Sequence, residues 1–175
     1  VIGAGPIGLM FVALARHLGC EMTVAGRGQT RLQTAERLGA AKIIDVTDAA
    51  NLVQVIRAGS PPFDVVIEAV GKSEVWEASV KLVRKGGTVN FFGGCPSGTS
   101  VSFDTGLIHY SNLTLLASFH HTPRTIRRAL ELIETGVIHA GDFVDGECPL
   151  NQLPELFRSM TAGNRAVKTF IRVQD

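Results

Sequence analysis

Gly3, Gly5 and Gly8 stand in the spacing Gly-x-Gly-x-x-Gly, directly after Val1-Ile2 and directly before an apolar run. That spacing suits a backbone made to approach a pyrophosphate. Gly3 permits the tight turn, Gly5 lets the main chain come close to phosphate oxygens, and Gly8 lets the following helix pack tightly on a sheet. The helix that opens at Pro6 would then point its amides, from Ile7 onward, and their partial positive charge at the anion. The bare triplet is weak. A strand remnant before it, a helix opened by it and a second strand after it give it the setting of a dinucleotide fingerprint.

The end of the second strand selects the dinucleotide. An NAD site usually carries an acid there, about 20 residues on, for the ribose 2′-hydroxyl. This chain has Ala25-Gly26-Arg27-Gly28-Gln29-Thr30-Arg31, with no carboxylate between Glu21 and Glu36. Gly26 leaves room, Arg27 offers a planar fork for a 2′-phosphate, and Arg31 offers a second donor. The cofactor expected is NADP or NAD, leaning to NADP.

Three later turns are expected on the same crevice, because ligands sit at the carboxyl ends of parallel strands. They are Glu68-Ala69-Val70-Gly71, Phe92-Gly93-Gly94-Cys95 and Ser118-Phe119-His120-His121. The small residues Ala69, Val70, Gly71, Gly93 and Gly94 suit backbone contact with ribose and nicotinamide. Ser118, Phe119 and His120 close the set; His120 and His121 border the pocket or cap the next helix. Cys95 reads as a small buried thiol, Trp76 and Tyr110 as packing residues, and Glu68 as structural. Ser97, Ser100, Ser102 and His109 make no nucleophile elbow. Cys95, His121 and Lys168 receive no role, and no catalytic residue is assigned.

The elements that must hold these turns alternate between strand and helix. Ile7, Met10, Phe11, Leu14 and Leu18 recur at helical spacing up to Gly19. Strands are expected near Met22–Ala25, Lys42–Ile44, Asp64–Glu68 and Thr88–Phe92. Helices are expected from about Thr30 to Leu38, Asp48 to Arg57 and Ser73 to Val83, with Gly86-Gly87 turning the chain afterwards. An edge strand at Leu113–Ala117 follows, then a helix opened by Thr122-Pro123 with Ile126, Ala129, Leu130 and Ile133 as its inner face. The tail adds a helix at Leu153–Met160 and a strand at Val167–Val173. This rhythm implies an α/β fold, a doubly wound parallel sheet of about six strands. Val1-Ile2 is short for a buried strand, so the expectation is a chain cut inside its first strand.

Composition narrows the classes. The 175 residues hold 45% hydrophobic and 19% charged side chains, which excludes intrinsic disorder. With 17 Lys+Arg against 16 Asp+Glu, no basic footprint for nucleic acid exists. No apolar run approaches a membrane span. The three cysteines, Cys20, Cys95 and Cys148, lie far apart and suit a reducing, cytoplasmic setting. The histidines His17, His109, His120, His121 and His139 pair with no cysteine at ligand spacing, so no metal site is expected here.

VIGAGPIGLM, RLQTAERLGA with AKIIDV, FDVVIEAVG, LVRKGGTVNFFG and ALELIETGVI…LFRSMTAGNRAVKTFI follow one another along nearly the whole chain. In them the chain resembles the medium-chain dehydrogenase/reductase superfamily of zinc-dependent alcohol, sorbitol and threonine dehydrogenases. The resemblance implies a nicotinamide-binding Rossmann domain over 1–136. It also implies a 137–175 segment returning to a catalytic domain that precedes the glycine turn and carries the zinc ligands. An oxidoreductase acting on an alcohol or polyol is implied, as is a homo-oligomer, with this chain inactive alone. A zinc-free quinone or enoyl reductase of the same superfamily is the near alternative. An S-adenosylmethionine methyltransferase is the distant one, disfavoured by Gly26-Arg27.

Overall fold

In the computed structural model, residues 1–163 and 166–173 are described; Asn164, Arg165, Gln174 and Asp175 lie outside them. Helices and strands alternate as α1 (Pro6–His17), β1 (Thr23–Gly26), α2 (Gln29–Arg37), β2 (Lys42–Asp45), α3 (Leu52–Arg57), β3 (Phe63–Glu68), α4 (Ser73–Ser79), β4 (Val83–Phe91), α5 (Thr105–Tyr110) and β5 (Thr114–Ala117). Then come α6 (Pro123–Glu134), β6 (Val144–Pro149), α7 (Leu153–Thr161) and β7 (Lys168–Arg172).

The main sheet is parallel throughout and runs β2-β1-Ile2-β3-β4-β5. Ile2 is the seam between its halves. Its N–H donates to the Ile67 carbonyl (2.8 Å) and its carbonyl accepts from Ala69 N–H (2.9 Å). On the other side Gly3 N–H donates to Ala25 O (2.8 Å) and Ala25 N–H to Val1 O (2.9 Å). The chain therefore winds outward in opposite directions from residue 2, which places a crevice at the carboxyl ends of its neighbours.

Side chains alternate across the sheet, so each face acquires its own core. On one face α1 and α2 pack Leu9, Val12, Ala13, Leu32, Ala35 and Leu38 onto Ala4 and Val24. Phe143 and Val167 of the tail are buried in the same cluster. On the other face Ile56, Val75, Val80 and Leu82 cover Ala25, Val66, Val89 and Phe91. The result is the doubly wound arrangement anticipated, with β6 and β7 forming a separate parallel pair.

Several expectations need correction. The buried stripe of α1 is Leu9, Val12 and Ala13, whereas Ile7, Met10 and Leu18 are exposed. The apolar face of α6 is not an inner face: Ile126, Leu130 and Ile133 are each more than half exposed. Periodicity finds such a stripe but says nothing of what covers it. Helix α4 stops at Ser79, and β4 already begins at Val83, with Gly86-Gly87 falling at an irregularity between the Phe63 and Val65 pairings. Helix α3 starts later than Asp48, because the Asn51 side chain caps it by accepting from Gln54 N–H (3.1 Å). Helix α5 and strand β6 were not anticipated; both are short, and β6 contains a glycine and a proline that hide its alternation. Tyr110 is 82% exposed and is not a packing residue. Thr122 does cap α6, in a reciprocal box with Thr125, so neither His120 nor His121 serves as the cap.

Truncation should separate the two apolar stripes. Leu9→Ala is expected to lower unfolding free energy by about 3 kcal/mol in a urea titration, because Leu9 is wholly enclosed. Leu130→Ser on α6 should change it by less than about 0.5 kcal/mol in the same assay.

Candidate dinucleotide cleft

A cleft of about 630 Å³ opens where the sheet order reverses. Gly3, Gly5, Gly26, Arg27, Arg31, Ala69 and Val70 line it, so seven of the residues singled out by sequence converge there. The glycines do separate jobs. Gly3 has φ +113°, and a Cβ on it would stand 2.9 Å from the Ala69 carbonyl. A Cβ on Gly8 would stand 1.9 Å from the Gly3 carbonyl, so Gly8 underlies the turn and does not line the cleft. A Cβ on Gly26 would meet that of Ala4 at 2.4 Å, which brings β1 hard against the turn. Gly5 has open space where its side chain would be, and it lines the cleft.

Helix α1 starts at Pro6 with Gly5 as N-cap, and neither a side-chain cap nor an acid occupies its first turn. Its leading amides are thus left for an anion in the cleft. Helix α2 repeats the arrangement at the other end: Gly28, with φ +90°, caps it without a side chain, and its first turn holds no acid. Arg27 is exposed beside that start. Arg31 is half-buried and donates to the Ala166 carbonyl (2.8 Å), so it also ties α2 to the tail. Asp45 pairs with Gly26 across the strands, but its carboxylate accepts from Thr47 N–H (2.8 Å) and hydroxyl (2.6 Å). Those two donors hold Asp45 below the ordinary carboxylate range.

The second and third turns are stacked on each other. A Cβ on Gly71 would lie 2.5 Å from Gly94 O, and one on Gly93 would lie 2.4 Å from Gly71 N. Beneath them is Glu68, fully buried, its Oε1 accepting from Val70 N–H (2.7 Å) and Gly71 N–H (2.9 Å). Burial pushes this carboxyl above its ordinary value, against the opposing pull of those N–H groups. Trp76 stacks on Phe91 at 4.2 Å and donates its indole N–H to Gly93 O (2.9 Å). Cys95 is half-buried rather than buried, and its thiol is pushed up by desolvation and by the charges of Glu68 and Glu74. A thiol so held is a poor nucleophile. Ser118, Phe119 and His120 follow β5 and are all exposed, Phe119 to 90%; they do not join the cleft wall.

Sequence reasoning missed the opposite wall, built by Val46, Ala49, Asn51 and Leu52 after β2 together with Lys72 and Val75 at α4. The rule that ligands sit at strand ends reaches Val46 as readily as Ala69, but the charged residues of this wall, Lys72, Glu74, Glu77 and Lys81, stand in no spacing that marks a site. The donor set fits a dinucleotide: two uncapped helix starts, glycines at the close approaches and an arginine at the far end. It does not fit zinc, since among the described residues no group of three or more His, Cys, Asp or Glu side chains converges. Among the same residues no helix is long and apolar enough to cross a membrane.

Known proteins agree with this geometry. D-altritol 5-dehydrogenase of Agrobacterium fabrum is 32% identical over 158 residues, covering 90% of this chain and 45% of that protein. D-arabinitol dehydrogenase 1 of Uromyces fabae is 29% identical over 168 residues, covering 93% and 48% respectively. The chain thus spans about half the length of the curated relatives it matches. A zinc-binding dehydrogenase structure from Sinorhizobium meliloti, bound to NADP, superposes with a TM-score of 0.88 at 32% identity, covering 98% of this chain and 51% of the other. Residues 6–135 match the sequence profile of the zinc-binding dehydrogenase family. This chain belongs to that family.

Proposed function

We propose that the chain is the dinucleotide-binding part of an oxidoreductase that moves hydride between an alcohol or polyol carbon and NAD(P), with NADP preferred. The observation that carries the reading is the glycine-walled cleft at the strand-order reversal, with Arg27 and an uncapped helix start where an NAD site would hold an acid. The bound nicotinamide supplies the hydride acceptor or donor at its C4 position. The chain's own groups bind and orient. First-turn amides of α1 face the pyrophosphate, Arg27 and α2 face the 2′-phosphate, and the turns at 69–71 and 93–94 face ribose and nicotinamide. Arg31 helps from the cleft wall, whereas Ser118, Phe119 and His120, exposed after β5 and off that wall, are given no contact.

The names of the relatives, two of them sugar-alcohol dehydrogenases, support the polyol class of substrate. Residues 1–136 are proposed as the cofactor domain and 137–175 as a segment returning to a catalytic domain that holds zinc and most substrate contacts. The exposed stripe of α6 is the face we assign to that domain. A cytoplasmic homo-oligomer joined through β5, which among the described residues pairs only with β4 and so offers an open edge, completes the reading.

Calorimetric titration with NADPH and NADH tests the cofactor assignment. NADPH is expected to bind more tightly, and Arg27→Ala should lose about 10- to 100-fold in NADPH affinity, the worth of a charge-assisted hydrogen bond. NADH affinity should hardly change in the same variant; equal losses for both would refute the 2′-phosphate role. A pair of glycine variants tests the turn. Gly8→Ala should cost at least about 2 kcal/mol of stability, because the clash is with backbone. Gly5→Ala should unfold like the parent yet lose about tenfold or more in dinucleotide affinity, since the methyl group enters the ligand's approach. The chain by itself is expected to oxidise no alcohol with NADP; steady turnover by it would refute the assignment of the chemistry to another domain.

A further inference from the structure

Glu68 has one carboxyl oxygen accounted for and one not. Oε1 accepts two backbone N–H groups, from Val70 and Gly71. Oε2 is buried and has no hydrogen-bond partner. It lies against the second turn: a Cβ on Gly93 would be 2.6 Å from Oε2 and 2.4 Å from Gly71 N. The Glu68 backbone carbonyl already accepts from Phe92 N–H (3.0 Å) and Gly93 N–H (2.9 Å). One residue therefore touches both turns, the one at 69–71, whose Ala69 and Val70 line the cleft, and the one at 92–94 stacked against it.

We propose that Glu68 is a positioning residue that sets this wall through its protonation state, the proton residing on Oε2 and being lost as pH rises. A carboxylate accepts only, and Oε2 has no hydrogen bond; the N–H groups of Val70, Gly71 and Gly93 and the Trp76 indole favour the charged form, but burial opposes it more strongly. A neutral carboxyl removes that charge from between the two turns and leaves Oε1 free to go on accepting from Val70 and Gly71 N–H. Burial pushes the group in the neutral direction. The surrounding titratable groups are the Cys95 thiol on the β4 turn and Glu74, itself paired with Lys72 at 3.9 Å, on α4. The start of α1 and strand β1 carry none. A carboxyl that holds its proton more tightly in the fold than in the unfolded chain stabilises the fold fully below the ordinary carboxylate range. That contribution declines as pH rises through the folded value.

The reporter is built in, because Trp76 is the single tryptophan and its indole binds the Gly93 carbonyl beside Glu68. Emission of the ligand-free chain, followed from about pH 4 to about pH 9, should titrate with a midpoint above the ordinary glutamate value of about 4.3. In Glu68→Gln, which keeps an acceptor and supplies a donor, emission should stay flat over that span. A flat parent curve, or the same curve in the variant, overturns the proposal. The carboxyl carbon-13 resonance of Glu68 in the unsubstituted chain reads the proton without any variant; a midpoint at or below the ordinary value also overturns it. The effect on cofactor rests on the dinucleotide reading: NADPH affinity of the parent, relative to Glu68→Gln, should fall several-fold from about pH 5.5 to about pH 8.5. If no dinucleotide binds while the Trp76 titration depends on Glu68, the functional reading fails and the positioning role stands. If NADPH binds with identical pH dependence in both proteins, the positioning role fails and the functional reading stands.

Discussion

The hydrogen bonds of residues 1–3 hold the two halves of the sheet together. Ile2 bonds to β3 through both its N–H and its carbonyl, and its neighbours Val1 and Gly3 bond to Ala25 of β1. Remove that seam and β1-β2 and β3-β4-β5 are two small sheets with an open edge each. The reversal of strand order follows from it, and so does the cleft, since flanking helices diverge where the winding direction changes. The close contacts of Gly8 and Gly26 are consequences of the same constraint. A helix and a strand must both come within backbone distance of a turn that leaves the central strand.

Charge in the cleft is arranged by omission as much as by placement. Neither α1 nor α2 has an acid in its first turn, and Asp45, the nearest carboxylate to Gly26 in the ladder, is turned onto Thr47. The two helix starts and Arg27 therefore have no acid on their own elements; Glu74 and Glu77 line the α4 wall beside Lys72 and Lys81, so with Arg27 and Arg31 the cations outnumber the acids around the cleft, as a polyphosphate ligand requires. Unlike Glu74 and Glu77, which line the cleft, Glu68 is kept out of it and under its wall. Its work is on the backbone of the turns, in company with Trp76, which reaches the Gly93 carbonyl from α4.

Much of this was legible beforehand. Glycines at 3, 5 and 8, a Pro at the first helical position and apolar runs spaced about twenty residues apart leave few alternatives to a doubly wound sheet, because each is tied to a local backbone requirement. Seven of the candidate contact residues do reach the cleft. The failures are equally instructive. The stripe of α6 has the periodicity of a buried face, yet Ile126, Leu130 and Ile133 are exposed. In α1 the enclosed residues are Leu9, Val12 and Ala13, one step round from the Ile7-Met10 set that spacing also allows. Both errors have one cause: a helical period marks an apolar stripe but does not say which neighbour it meets.

The sequence by itself determined the turn chemistry, the order of elements and the sign of the cleft, since glycine conformations, helix starts and the absence of an acid after β1 are local properties. Only the tertiary structure decided which strand ends meet. It brought Val46 and Asn51 opposite Gly3, tied Arg31 to the tail through Ala166, and buried Phe143 and Val167 among α1 and α2. It also decided that Glu68 would be enclosed with one oxygen unanswered. The reason is that burial and partnership depend on chain segments far apart, 135 residues in the case of Arg31 and Ala166, and no local pattern records which of them will arrive.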